Sequence, residues 1–429
     1  MFSRSLALLS TFFVVFESIF YAFAHSLHSF RGIPRAHPPF RDIYTLTINA
    51  LCDRPVFNFF TEGSCSAAFY GVSEGSFDYP ILPFLLSRAL PRYIFSSPDL
   101  LALSFIIVFL ALLYGIYLLT KRTGLVTLTY ILLVFSFPLR YLLERGQLDI
   151  LTWILVLLSS LSGFFFCCAP RSSHLVFACS AKEKKLFLYL GNCFVPFFIL
   201  LSIAFKAFTI LEAFVLPLVL LKFNLRTACF IAISVVPLSI LSIYNPDGVG
   251  SVANQIQQMP GEIFGLSVGS SILSSGHSLL FRIAVVILSF LISSLFIGHH
   301  KHYPPSLLPP YILMSSSASA FIACYFLTSS ANYKLFSVPL FLLSICWLNE
   351  SSGTAGLKLF SISGLLYLFG LCLPVIFFNY RPYIPSLQFL SQEFFDLFVL
   401  PALAGAMISY LFVPLFPLRV LGRLSLNAR

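Results

Sequence analysis

The chain has 429 residues, of which 58% are hydrophobic and only 10% are charged. Water-soluble domains carry about 25% charged residues, so this composition excludes a soluble fold and predicts an integral membrane protein. The net charge is +10, but the 26 basic residues are scattered between apolar runs. Because they form no continuous basic stripe, they predict basic loops on the cytoplasmic face of a lipid bilayer and no nucleic-acid partner.

Apolar stretches of roughly 20 residues, the length that spans the hydrocarbon core of a bilayer, recur along the whole chain. They predict an all-α polytopic membrane protein, with residues 1–429 forming a single integral membrane domain of about 12 transmembrane helices. The third, sixth and tenth stretches are short enough to be re-entrant or half-spanning helices instead. The stretches run near residues 5–24, 98–120, 124–141, 148–170, 186–205, 207–222, 226–244, 278–298, 309–328, 333–348, 358–378 and 394–416.

Lys and Arg residues concentrate in the short connections that lie on the same face of the membrane as the N-terminus. This predicts that both termini are cytoplasmic in an inner or plasma membrane. Residues 25–97 and 245–277 then form extracytoplasmic loops. Ala22-Phe23-Ala24 has the form of a signal-peptidase site, but the apolar run before it is long and favours a retained span. The second loop is interpreted either as an amphipathic helix beside an acceptor groove or as a simple connector.

The first outer loop, residues 25–97, is long enough to predict a function or a structure of its own. Its candidate residues are Asp42 and Tyr44, and later Asp78 and Tyr79, which precede a proline-containing turn. The alternative is a lumenal cap whose charges are simply solvated. Cys52 and Cys65 lie in the same loop, and whether they form a disulfide is open, since the sequence does not fix their geometry.

Charged residues also crowd the short connection between the third and fourth stretches. Glu144 and Arg145 are able to neutralise one another, but Gln147 and Asp149 then still need partners at a membrane boundary. The polar residues of Leu139–Asp149 are Arg140, Glu144, Arg145, Gln147 and Asp149.

Single cations mark the outer ends of later stretches, at Lys206, Lys334 and Arg381. Each alone is typical of a side chain that reaches from the membrane edge to water. Together with Arg145 they place positive charge on the side that the positive-inside rule disfavours, which predicts an anionic ligand such as a phosphate. Carboxylates in an outer loop facing such cations suit group transfer from a lipid-linked phosphate, because one group accepts a proton while the others hold the leaving phosphate.

These residues resemble a known family, the GT-C glycosyltransferases that use polyprenyl-phosphate sugars, and in particular the mannosyltransferase-related glycosyltransferase family 87. The resemblance covers about residues 40–340 and rests on short elements in the family's order. The elements are Asp42 to Tyr44 (with one residue fewer than usual), Tyr79-Pro80, Glu144 to Asp149, Lys206 to Thr209 (with Thr in place of Pro), and Asn332-Tyr333-Lys334-Leu335 (with Asn in place of an acid).

The resemblance implies an inverting transfer of mannose or another hexose from a polyprenyl-phosphate donor to an extracytoplasmic lipid or glycan acceptor. It implies that Asp42 is the general base, with Asp78, Asp53 and Asp149 as alternatives. Donor phosphate is expected at Arg145, Lys206, Lys334 and Arg381. Supporting roles are expected for Tyr44, Tyr79, Glu144, Gln147, Asp149, Asn332 and Tyr333.

No metal site and no cofactor are predicted, although a role for a divalent metal stays open. His299-His300-Lys301-His302 is interpreted as a solvated cytoplasmic loop. The main alternative function is a transporter or flippase of a lipid-linked or small anionic substrate, in which Glu17, Lys206 and Glu212 act as coupling residues. A non-catalytic scaffold is a third alternative.

Overall fold

The structure is a computed structural model, and it describes the following part of the chain. The described residues are 2–24, 43, 91–95, 97–120, 124–145, 149–162, 194–195, 197–202, 211, 215, 263–264, 276–296, 307–326, 330–331, 336–352 and 398–412. Within these ranges the fold is helical, apart from one short antiparallel pairing of two-residue strands.

The N-terminal part of the described chain contains five helices. They are α1 (Phe2–Ala24), α2 (Pro98–Leu119), α3 (Gly124–Val134), α4 (Phe137–Arg145) and α5 (Asp149–Ser162). A 3-10 turn, Arg92–Phe95, precedes α2. α1, α2 and α5 lie where the first, second and fourth apolar stretches predict helices.

The C-terminal half contains four further described helices. They are α6 (Gly276–Phe296), α7 (Leu308–Phe326), α8 (Ser337–Ser352) and α9 (Leu400–Phe412). Strands β1 (Ile263–Phe264) and β2 (Ser330–Ala331) pair antiparallel, with Ile263 opposite Ala331. These helices match the stretches predicted at 278–298, 309–328, 333–348 and 394–416. The stretches at 226–244 and 358–378 lie outside the described residues.

The apolar stretch at residues 124–141, which the sequence left open as a full span or as a re-entrant or half-spanning helix, is not one continuous helix. α3 ends at Val134, and α4 begins at Phe137 after a break at Phe135 and Ser136. Pro138 explains the break, because proline has no N–H to donate to the preceding turn but is tolerated in the first turn of a new helix. The connection predicted at Leu139–Asp149 is accordingly helical up to Arg145.

Two hydrophobic cores are joined by α8. The first core contains buried side chains of α1 to α5, together with Phe336, Leu340 and Trp347. The second core is formed by α6, α7 and α9, together with Phe341 and Ile345 of α8. Because α8 is buried on all sides from Val338 to Leu348, its apolar residues need no polar face, as expected for a central helix.

Large apolar side chains also cover the outer surface of several helices. On α1 the exposed ones include Leu9, Phe12 and Phe16, and on α6 they include Leu280 and Leu288. α1 over Ser3–Ala22 and α2 over Pro98–Leu119 are each long and apolar enough to cross a membrane. An apolar outer surface of this kind suits contact with lipid rather than with water.

Helices α6 and α9 approach each other closely at Gly405. A Cβ atom at this position would lie 2.2 Å from the carbonyl oxygen of Val286 and 2.9 Å from the backbone nitrogen of Phe290. Ser289 donates a 2.5 Å hydrogen bond from its hydroxyl to the carbonyl of Ala402. Small residues thus allow the two backbones to pack together, as they do between helices in membranes.

Candidate functional site

The short helix α4 and the start of α5 carry the densest group of charged residues in the described part of the chain. α4 begins after Ser136, whose carbonyl accepts a 3.1 Å hydrogen bond from the backbone nitrogen of Arg140. α5 begins at Asp149, whose negative charge interacts favourably with the positive end of the helix dipole. Arg140 therefore lies in the first turn of α4, and Asp149 is the first residue of α5.

Arg140 forms an ion pair with Glu17 of α1. The Arg140 residue is only 6% exposed, and the side chain of Glu17 is 27% exposed. The guanidinium carbon also lies 5.8 Å from the ring centroid of Phe135, in the range of a cation–π contact. Phe135 in turn packs against Phe13 of α1, with ring centroids 5.9 Å apart.

Phe13 and Glu17 are four residues apart, so they lie on one face of α1. This face contacts Phe135 and Arg140 of the α3–α4 region. We call these four residues the α1–α4 clasp. It joins the first helix of the chain to the segment that carries Glu144, Arg145 and Asp149.

Asp149 is almost completely buried, at 1% exposure. Its neighbours Ile150 and Trp153 on α5 belong to the first core. A carboxylate at such a position is costly to place away from water, so an acid there is retained for a structural or a chemical reason. The sequence predicted that Asp149 needs partners at a membrane boundary, and this stays a prediction.

Ile43 links the first outer loop to the same core. This residue is helical and 1% exposed, and it belongs to the first core together with Leu139, Leu142 and Ile150. It is also the residue between Asp42 and Tyr44 in the sequence. Ile43 itself is therefore buried in the core to which α4 and α5 also contribute.

The β1–β2 pairing brings together two other segments predicted to be extracytoplasmic. β1 lies in the 245–277 segment, and β2 ends one residue before Asn332, the start of the Asn332-Tyr333-Lys334 element. Backbone hydrogen bonding between them requires that both segments lie on one side of the molecule.

Most of the predicted site residues lie outside the described residues. Glu144 and Arg145 occupy the last turn of α4, where their backbone is described, and Asp149 is described in full. Those outside are Asp42, Asp78, Tyr44, Tyr79, Gln147, Lys206, Asn332, Tyr333, Lys334 and Arg381, as are Cys52, Cys65 and the His299–His302 tract.

The sequence did not predict the α1–α4 clasp. Arg140 was assigned to an outer connection, and Glu17 was considered only as a coupling residue of a transporter. The available signal was a single acid inside the first apolar stretch and a single base in a later one, since charges in such stretches usually pair with one another. Only the fold shows that these two residues, separated by 123 positions, form that pair.

Comparison with protein-family models, curated proteins and solved structures finds no match for this chain. Among the described residues, no group of three or more His, Cys, Asp or Glu is arranged to hold a metal ion.

Proposed function

We propose that this chain is a multi-pass membrane glycosyltransferase with an extracytoplasmic active site and cytoplasmic termini. It transfers a hexose from a polyprenyl-phosphate donor to a lipid or glycan acceptor, with inversion at the anomeric carbon. Asp42 is the general base in this proposal, and Arg145, Lys206, Lys334 and Arg381 hold the donor phosphate.

The exposed apolar faces of α1, α2 and α6 support the membrane part of this proposal. Side chains such as Phe16, Ile107 and Leu288 lie on the outside of the helices, where a soluble protein would place polar residues. A polyprenyl chain has the same chemistry as lipid tails, so a donor of this class reaches the protein from within the bilayer.

The observation that carries the proposed activity is the burial of Ile43 in the core shared with α4 and α5. Side chains of α4 and α5 belong to the same core, and these helices bear Glu144, Arg145 and Asp149. A general base must lie within hydrogen-bonding reach of the acceptor hydroxyl, while the cations must lie at the leaving phosphate.

The chemistry requires little beyond these groups. A carboxylate takes the proton of the acceptor hydroxyl as the oxygen attacks the anomeric carbon, and the bond to the phosphate oxygen breaks on the opposite face of the sugar. Arg145 suits the departing phosphate because its planar guanidinium is able to donate two parallel hydrogen bonds, whereas a lysine acts as a point charge.

The test is transfer by the purified protein in lipid nanodiscs supplied with radiolabelled polyprenyl-phosphate mannose and with membrane-lipid acceptors. Asp42→Asn is expected to lower turnover by roughly 10²- to 10⁴-fold, the usual contribution of a positioned general base. Glu74→Gln, a matched neutral replacement in the same loop, is expected to keep wild-type turnover. Loss of turnover in Asp78→Asn, Asp53→Asn or Asp149→Asn with normal turnover of Asp42→Asn would move the base to that residue, and normal turnover of all four variants would refute the general-base proposal.

A transporter or flippase is the second candidate, and the Glu17–Arg140 pair is the observation that favours it. Paired charges inside apolar helices are common along the substrate and ion pathways of transporters. Liposomes that contain the protein and a fluorescent polyprenyl-phosphate lipid separate the two functions. Movement of the lipid between leaflets without any sugar transfer would favour the transporter.

A further inference from the structure

The short helix α4 needs contacts with other parts of the chain to hold its position. This helix has nine residues and is bounded by the break at Phe135 and Ser136 on one side and by the start of α5 at Asp149 on the other. Helices this short are marginal by themselves, so tertiary contacts decide where α4 lies.

The apolar contacts of α4 do not fix its position fully. Leu139, Leu142 and Leu143 are buried in the first core, and their burial stabilises the helix. Hydrophobic burial is non-directional, however, so three leucines tolerate a shift or rotation of the helix along the core. A directional contact is needed to select one position.

The Glu17–Arg140 ion pair is such a contact. Charge-assisted hydrogen bonds between guanidinium and carboxylate are strong and have a defined geometry. The Phe135 ring limits the guanidinium on a second side, and Phe13 packs against that ring. Arg140 is thus held by Glu17 of α1 and by Phe135, whose ring packs on the preceding turn of α1.

We propose that the Glu17–Arg140 pair is a positioning lock, which fixes α4 against α1 and so sets the position of the Glu144–Asp149 segment in the active site. The role in catalysis rests on the proposed function, whereas the role in holding α4 does not. Arg140 and Glu17 are positioning residues in this scheme, because they act through the segment that follows.

The first readout reports the position of α4 without any activity. Ser136 is fully buried, and Ser136→Cys is nearly isosteric, so its maleimide labelling, quantified by mass spectrometry at that peptide, should be slow. Adding Arg140→Gln or Glu17→Gln should raise the labelling rate by about 10-fold. The exchanged pair Glu17→Arg with Arg140→Glu should restore slow labelling. Unchanged labelling in both neutral variants would overturn the lock.

A double-mutant cycle on the melting temperatures of the same variants distinguishes loss of this ion pair from general misfolding. Glu17→Gln leaves the buried Arg140 without its partner, and Arg140→Gln leaves the partly buried Glu17 without its partner, so each should lower the melting temperature, the first by more. The double variant, Glu17→Gln with Arg140→Gln, should lie closer to the wild type than the sum of the two single shifts. Additive shifts would show that the two residues do not act on one another, which contradicts the proposal.

The second readout separates positioning from direct donor binding. If the lock positions the active-site segment, Arg140→Gln should lower kcat by about 10- to 100-fold with little change in KM for the donor, and the exchanged pair should recover part of kcat. A raised KM with unchanged kcat would instead make Arg140 a donor-binding residue. An unchanged kcat would leave the pair with a purely structural role and refute its part in catalysis. If the wild type shows no transfer, the proposed function fails, and the labelling result still decides whether the lock exists.

Discussion

The close approach of α6 and α9 predicts a large effect of a single methyl group at Gly405. In Gly405→Ala the new Cβ would lie 2.2 Å from the carbonyl oxygen of Val286. Ordinary contact needs about 3.4 Å, so the two helices must separate by roughly 1 Å, and overpacking of this kind costs about 1–3 kcal/mol. The separation also strains the hydrogen bond from Ser289 to Ala402, which contributes about 0.5–1.5 kcal/mol.

One favourable effect opposes this cost. Alanine is a better helix former than glycine by about 1 kcal/mol, so the net destabilisation of Gly405→Ala should be about 1–3 kcal/mol. For a chain of 429 residues the unfolding entropy is about 0.9 kcal/mol/K, so we expect the melting temperature to fall by about 1–3 °C.

The assay is thermal unfolding of the purified protein in nanodiscs, with Gly115→Ala on α2 as the matched control. No atom lies within 4 Å of a Cβ at Gly115, so this control should be neutral or slightly stabilised. Equal melting temperatures for Gly405→Ala and Gly115→Ala would refute the packing of α6 on α9.

The two other structural predictions concern the core and the lipid-facing surface. In a denaturant titration, Phe336→Ala should lower the free energy of unfolding by about 3–5 kcal/mol. The reason is that Phe336 is fully buried and packs edge-on against Phe109 and Trp153, with ring centroids 5.5 and 5.6 Å apart. The control Phe16→Ala, on the exposed face of α1, should change the free energy of unfolding by less than about 0.5 kcal/mol. In lipids with brominated acyl chains, Leu288→Trp should add a strongly quenched component to the tryptophan fluorescence. Leu288 is 58% exposed, while the native Trp153 and Trp347 are 1% and 4% exposed. An added tryptophan that is quenched only by a water-soluble quencher would contradict lipid contact at α6.

Local sequence was sufficient to predict most of the described helices. An apolar run of about 20 residues has few alternatives to a helix, because in a bilayer its backbone groups must bond internally. At residues 124–141 the hydropathy pattern did not reveal the helix break, because the stretch stays apolar through Phe135 and Ser136. The helical backbone nevertheless breaks at these two residues, ahead of Pro138.

The sequence by itself determined the helical character, the apolar outer surface and the concentration of charge between Arg140 and Asp149. The tertiary structure alone decided that Arg140 pairs with Glu17, that Ile43 is buried in the same core as side chains of α4 and α5, and that α8 lies between two cores. The physical reason is that local pattern fixes backbone hydrogen bonding within a helix, whereas contacts between residues more than 100 positions apart depend on how the helices pack. One charge in an apolar stretch predicts that a partner exists, and only the packing of α4 on α1 identifies that partner.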